Sequence, residues 1–242
     1  MDQIKCPHCG LQYASDELKC PHCGEEYVSE EEDFISKESV IDFPEGIKYT
    51  LAEDGFTYVI TGYDGDAVEL EIPKGVTRIG KSAFTECASL QKVILPEGLV
   101  SIDGIAFFRC RNLSSIVIPN EIKHIGGFAF CDCDALTSIT LPGSVGNISA
   151  FLFCNCKSLT TFKIPEGVTE IEFAAFQGCV SLSSLVVPSS MRCIEMCAFE
   201  EALSEITYMG TIEEWKAISK QDLWKSFQQH IKIHCTDGEV LE

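Results

Sequence analysis

Residues 164–188 read IPEGVTEIEFAAFQGCVSLSSLVVP, a stretch that opens and closes on an aliphatic residue followed by proline. Outward from it, prolines recur at Pro73, Pro96, Pro119, Pro142, Pro165 and Pro188, each 23 residues from the last. Phenylalanine keeps the same period at Phe84, Phe107, Phe130, Phe153, Phe176 and Phe199, and isoleucine at Ile79, Ile102, Ile125, Ile148, Ile171 and Ile194. A register held over so many positions marks a solenoid.

Before each proline runs an L-x-x-[VIFL]-x-[LIV] pattern: Leu90/Val93/Leu95, Leu113/Ile116/Ile118, Leu136/Ile139/Leu141, Leu159/Phe162/Ile164 and Leu182/Leu185/Val187. Its last two apolar positions alternate as a strand requires. Proline cannot donate to a ladder and ends the strand, and Gly75, Gly98, Gly143 and Gly167 permit a turn after it. Each unit therefore reads as one short strand plus a return segment. A single unit buries too few apolar side chains to offset the entropy of ordering it, so neighbours must stack.

Six units fill 73–210, the last shortened: ALSEITY keeps Leu203-x-x-Ile206-x-Tyr208 only with two residues deleted. Over 211–242 a C-terminal cap is expected, with Thr211 as N-cap, Glu214 as its capping-box acid, and a final strand and turn in IKIHCTDGEV. Over 43–72, KYTLAEDGFTYVITGYDG reads as a hairpin cap around Glu53-Asp54-Gly55.

These residues resemble the BspA-type leucine-rich repeat proteins, through the repeated unit, the front YTLAEDGFTYVITGYDG and the closing ITYMGTIEEWKAI with IHCTDG, over residues 43–238. The resemblance implies a strand-dominated α/β repeat solenoid, right-handed, with a parallel sheet on its concave side. It also implies kinship with bacterial surface proteins implicated in adhesion. Fold alone does not assign function.

Ahead of the repeats, CPHCG occurs twice, giving Cys6-x2-Cys9-x10-Cys20-x2-Cys23. Two such knuckles suit one tetrahedral Zn2+ held by four thiolates, and residues 1–27 are too few to fold on an apolar core. The expectation is a zinc ribbon with one structural Zn2+, His8 and His22 being exposed knuckle residues; iron in the same cage is the alternative metal. A thiol-disulfide oxidoreductase using the CPHC motif is the redox rival, but it needs CxxC at a helix N-terminus in a βαβ context, and none surrounds Cys6 or Cys20. The acidic stretch 28–42, with Glu30 to Asp33 in a block, reads as a linker.

Cys87, Cys110, Cys133, Cys156 and Cys179 share one repeat position and read as buried free thiols. Cys131 and Cys154 form a second pair, so Cys131, Cys133, Cys154 and Cys156 could gather as a four-sulfur cluster. The expected exposed strand positions are Gln91, Lys92, Ile94, Ser114, Ser115, Val117, Thr137, Ser138, Thr140, Thr160, Thr161, Lys163, Ser183, Ser184 and Val186. That hydroxyl-rich face fits a protein segment or a glycan. None of the five histidines sits at a repeated position suggesting a nucleophile and its base, and no G-x-G-x-x-G phosphate loop occurs.

The formal net charge is −19, and residues 1–41 hold 10 acids against 3 bases. Nucleic acid and anionic membrane are therefore poor partners. No apolar run of membrane-spanning length occurs, and MDQIKCPHCG enters a motif without the features of a signal peptide, so the placement expected is cytoplasmic. The function expected is a non-enzymatic protein-interaction module using the concave strand face, with the ribbon as an accessory docking element. An adhesin-like surface or secreted protein is the principal rival.

Overall fold

The computed structural model describes residues 3–5, 12–14, 41–199, 202–225 and 230–242. The chain divides into two compact units, Met1–Ile41 and Asp42–Glu242. In the first, β1 (Gln3–Lys5) and β2 (Gln12–Ala14) pair antiparallel with Gln3 opposite Ala14. Cys6, Cys9, Cys20 and Cys23 and the acidic block Glu30 to Asp33 lie outside the described residues.

The second unit is a strand-dominated solenoid of about seven turns. It opens on a hairpin of β3 (Ile47–Leu51) and β4 (Tyr58–Tyr63), turned by Asp54, whose carboxylate accepts from the N–H groups of Phe56 and Thr57. The front ladder holds the strands before the prolines, β5 (Glu69–Glu71), β7 (Lys92–Ile94), β9 (Ser115–Val117), β12 (Thr161–Lys163) and β14 (Ser184–Val187), continued by β16 (Glu205–Tyr208) and β18 (Lys232–Cys235). Its C-terminal end is closed by β19 (Gly238–Leu241), antiparallel to β18. The shortened unit shows in the register, Ser184 standing opposite Glu205 where Thr161 stands opposite Ser184.

A second, back ladder was not expected from the sequence, which reads as one strand per unit. It consists of β6 (Val76–Ile79), β8 (Ser101–Ile102), β10 (His124–Ile125), β11 (Asn147–Ile148), β13 (Glu170–Ile171), β15 (Cys193–Ile194) and β17 (Ser219–Lys220), with β4 pairing onto β6. The isoleucine column lies on it, buried at every turn.

The α/β class also needs correction, because among the described residues the only α-helix is α1 (Ile212–Ala217), in the C-terminal cap. There Thr211 and Glu214 form the expected capping box. The return segments are chains of turns. Each contains a residue of positive φ at one fixed position, namely Ser82, Ile105, Phe128, Phe151, Ala174 and Cys197, and a second four residues on at Glu86, Arg109, Asp132, Asn155 and Gly178. At the first left-handed residue the N–H is given to the next turn: Ile105 to Gly127 C=O (3.0 Å), Phe151 to Phe173 (3.0 Å), Ala174 to Met196 (3.1 Å). The return segments thus form a third inter-turn ladder.

Inside, the phenylalanine column stacks ring on ring, with centroids 5.0 Å apart for Phe84/Phe107, 5.5 Å for Phe107/Phe130, 5.9 Å for Phe130/Phe153, 5.5 Å for Phe153/Phe176 and 5.8 Å for Phe176/Phe199. Tyr63 tilts onto one end at 5.5 Å and Trp224 meets the other edge-on at 6.1 Å. Both caps therefore continue the column with an aromatic of their own, leaving neither terminal ring bare.

Candidate interaction face

On the front ladder, alternation sends Val93, Ile116, Ile139, Phe162 and Leu185 into the core and their neighbours outward. Of the face residues expected from the sequence, Gln91, Ile94, Ser114, Ser115, Val117, Thr137, Ser138, Thr140, Thr160, Thr161, Lys163 and Ser183 are exposed, and Lys92, Ser184 and Val186 are half-buried. Val117 is 72% exposed. Charge sits toward the two ends of this face, with Lys92 Nζ 3.3 Å from Glu69, and Lys232 Nζ and His234 Nδ1 each 2.9 Å from Glu239. From Ile94 to Val186 the outward strand positions are hydroxyl and aliphatic apart from Lys163.

Some hydroxyls are engaged. Ser114 and Ser183 donate to the Gln91 and Thr160 carbonyls of the preceding turn at 3.2 and 3.5 Å. Among the described residues, those of Ser115, Thr137, Ser138, Thr140, Thr160 and Thr161 have no protein partner, which leaves them to water or a ligand.

Both ladders break at the same turn. The front ladder divides into β5-β7-β9 and β12-β14-β16-β18-β19, and the back ladder divides between β10 and β11. Residues 137–141 lie between β9 and β12, and among the described residues no backbone hydrogen bond joins them to either. This unit departs from the others after its proline: a 3-10 turn over Gly143–Val145 followed by Gly146 at φ 71 stands where the next unit has Glu166 and Gly167 at φ 97. On the back, Ser149 Oγ donates to the Ile125 carbonyl at 2.6 Å. The return ladder continues across the break, through Phe128 N–H to Ala150 C=O (3.1 Å) and Asp132 N–H to Cys154 C=O (2.8 Å).

Two grooves flank the seam. One of about 610 Å³ is lined by Glu97, Ser115, Val117, Glu121, Ser138 and Thr140, and one of about 430 Å³ by Ser138, Thr140, Thr161, Lys163 and Glu166. Sequence reasoning missed both, because a groove here depends on which turns pair and not on the residues of any one turn.

The cysteine column is buried and makes no disulfide among the described residues. Cys110, Cys133, Cys156 and Cys179 donate to the carbonyls of Phe84 (2.9 Å), Phe107 (3.3 Å), Phe130 (3.2 Å) and Phe153 (3.1 Å). Burial pushes the Cys133 and Cys156 thiols well up, which disfavours the nucleophilic thiolate. The four-sulfur cluster does not assemble: among the described residues no three metal-ligating side chains gather. Cys131 interacts with Cys154, whereas Cys133 and Cys156 are bound to backbone carbonyls. His124 is exposed on β10, and His234 pairs with Glu239.

Parallel ladders with one strand per turn before a fixed proline, stacked on a phenylalanine column, define a leucine-rich repeat solenoid. The model of the BspA type leucine rich repeat region matches residues 63–179 and 124–233, so the chain belongs to that family. Among solved structures, a leucine-rich repeat protein of T. pallidum is 27% identical with a TM-score of 0.67, over 75% of this chain and 86% of that one. A leucine-rich repeat protein from Bacteroides ovatus, 18% identical over 74% of this chain and 67% of that one, has a TM-score of 0.51. A leucine rich cell surface protein from Faecalibacterium prausnitzii is 27% identical over 75% of this chain and 42% of its own length, with a TM-score of 0.49. No curated protein matches the chain.

Proposed function

We propose that the chain is a non-enzymatic protein-interaction module that presents the front face of its repeats to a partner, with an N-terminal zinc ribbon as an accessory docking element. The observation that carries the reading is the group of unpartnered hydroxyls at Ser115, Thr137, Ser138, Thr140, Thr160 and Thr161, which surround the seam between two grooves. Family membership supports it as well. A protein segment is the occupant we favour over a glycan, because unpaired main chain at 137–141 matches main chain best. Replacing Thr137, Thr140 and Thr160 together by arginine is expected to abolish capture of the partner by the full chain while circular dichroism stays unchanged. Capture that is indifferent to the three substitutions overturns the face.

For the ribbon, the four ligands are Cys6, Cys9, Cys20 and Cys23, with Cys6 and Cys9 falling in sequence between the paired strands β1 and β2. Thiolate donors in two knuckles fit one Zn2+, which would supply the fold of a segment lacking an apolar core. Metal analysis of protein purified without chelator should find one zinc per chain. Neither the family match nor the fold supports the oxidoreductase alternative. Among the described residues no helix is long and apolar enough to cross a membrane. The cytoplasmic placement read from the N-terminus and the surface placement implied by the family are separated by cell fractionation.

A further inference from the structure

The two ends of the front ladder are treated differently. At the C-terminal end β19 covers β18, whereas at the N-terminal end β5 pairs only with β7 among the described residues. The hairpin β3-β4 joins the back ladder instead. The Val68 carbonyl accepts from Gln91 N–H (2.8 Å), and Ile72 N–H is given to the Ile94 carbonyl (2.9 Å). Hydrogen bonding alternates along a strand in a ladder, so the N–H and C=O groups of Glu69 and Glu71 face away from β7. A row of unpaired main-chain groups on a sheet edge is a template for another strand.

Beside this edge lies a groove of about 650 Å³, lined by Pro44, Gly46, Tyr63, Gly65 and Ala67 and by the acids Glu45, Asp64, Asp66, Glu69 and Glu71. Its size falls within the roughly 300–1,000 Å³ of ligand sites. Asp64 is held by Lys48 at 2.8 Å and Glu69 by Lys92 at 3.3 Å. Among the described residues no cation meets Glu45, Asp66 or Glu71, so three carboxylates line the groove uncompensated. A second copy of a chain of formal charge −19 is repelled from such a groove.

We infer that the β5 edge accepts an extended, basic segment of a partner protein, which adds a strand to the front ladder through the main chain of Glu69 and Glu71 and sets lysine or arginine against Glu45, Asp66 and Glu71. This site lies at the N-terminal edge of the front ladder, apart from the hydroxyls around the seam at 137–141, and each stands or falls without the other. Strand addition takes its affinity from main-chain bonds, and the acids select the partner's charge.

The test uses the full chain and a fluorescein-labelled nonapeptide of alternating lysine and valine, followed by fluorescence anisotropy. Binding is expected, weakening as salt rises. Glu71→Pro removes an outward N–H together with its carboxylate and leaves the inward bonds to β7 intact, so affinity should fall roughly tenfold below that of Glu71→Gln, which loses the charge alone, with unchanged circular dichroism. Should the proline variant misfold, the same peptide N-methylated at alternate amides provides the equivalent loss on wild-type protein. Neutralising Glu45, Asp66 and Glu71 together should weaken binding, while Thr137→Arg leaves it unchanged. Absence of binding overturns the inference. So does equal binding of a glutamate-valine nonapeptide, or binding indifferent both to N-methylation and to the three neutralisations.

Discussion

Gly178 occupies, at φ 75, the left-handed position that Glu86, Arg109, Asp132 and Asn155 hold in other turns. In those turns side chains form a cross-turn chain: Arg109 reaches Glu86 at 2.9 Å and Asp132 at 3.5 Å, and Asn155 Nδ2 donates to Asp132 at 2.7 Å. A Cβ on Gly178 would run into Asn155 Oδ1. Gly178→Ala therefore combines left-handed strain with a clash, and the urea midpoint should report a loss of roughly 1–3 kcal/mol. Asp54 works through charge. The N–H of Phe56, then the hydroxyl and N–H of Thr57, hold its carboxyl below the ordinary 3.8. A depressed folded pKa means that the stabilisation is complete above about 3.8 and is lost as pH falls through the folded value. Melts carried from neutral pH into acid should show a component that Asp54→Asn removes.

At the level of the element, the two-ladder break predicts its own exchange pattern. Amides of 138–140 lack the inter-turn bonds that those of β14 have with β12 and β16, so they should exchange orders of magnitude faster in native-state hydrogen exchange. Protection of 138–140 equal to that of Leu185 and Val186 would remove the seam. What was legible before the structure follows from what repeats by necessity. Every turn buries the same proline-bounded strand, isoleucine and phenylalanine, so those columns show in the letters. The back strands do not, because Ser101–Ile102 or His124–Ile125 is too short for alternation to register. Nor do the left-handed positions, since Ser, Ile, Phe, Ala and Cys all serve there, the conformation being set by a bond to the next turn and not by the side chain. Legible for the same reason were the outward residues of the front ladder, whereas the grooves beside them depend on a pairing that fails.

For the molecule as a whole, the solenoid has a continuous core running, among the described residues, from Ile60 to Ile233. If the proposed ribbon holds zinc, a chelator should remove one metal per chain while the melting transition of the solenoid, whose core is apolar, stays where it was; a fall in that transition on chelation would overturn this expectation. The same core obeys nearest-neighbour energetics, each turn resting on the turns beside it. The 23-residue register held from Pro73 to Pro188 carries a consequence for ancestry. Away from the turn at which both ladders break, a duplication or excision of one entire 23-residue repeat recreates the junctions it disturbs, whereas the gain or loss of a single codon within β14 throws inward side chains outward. Lineages of this chain should therefore differ in length by multiples of 23, changing reach without redesigning a single contact.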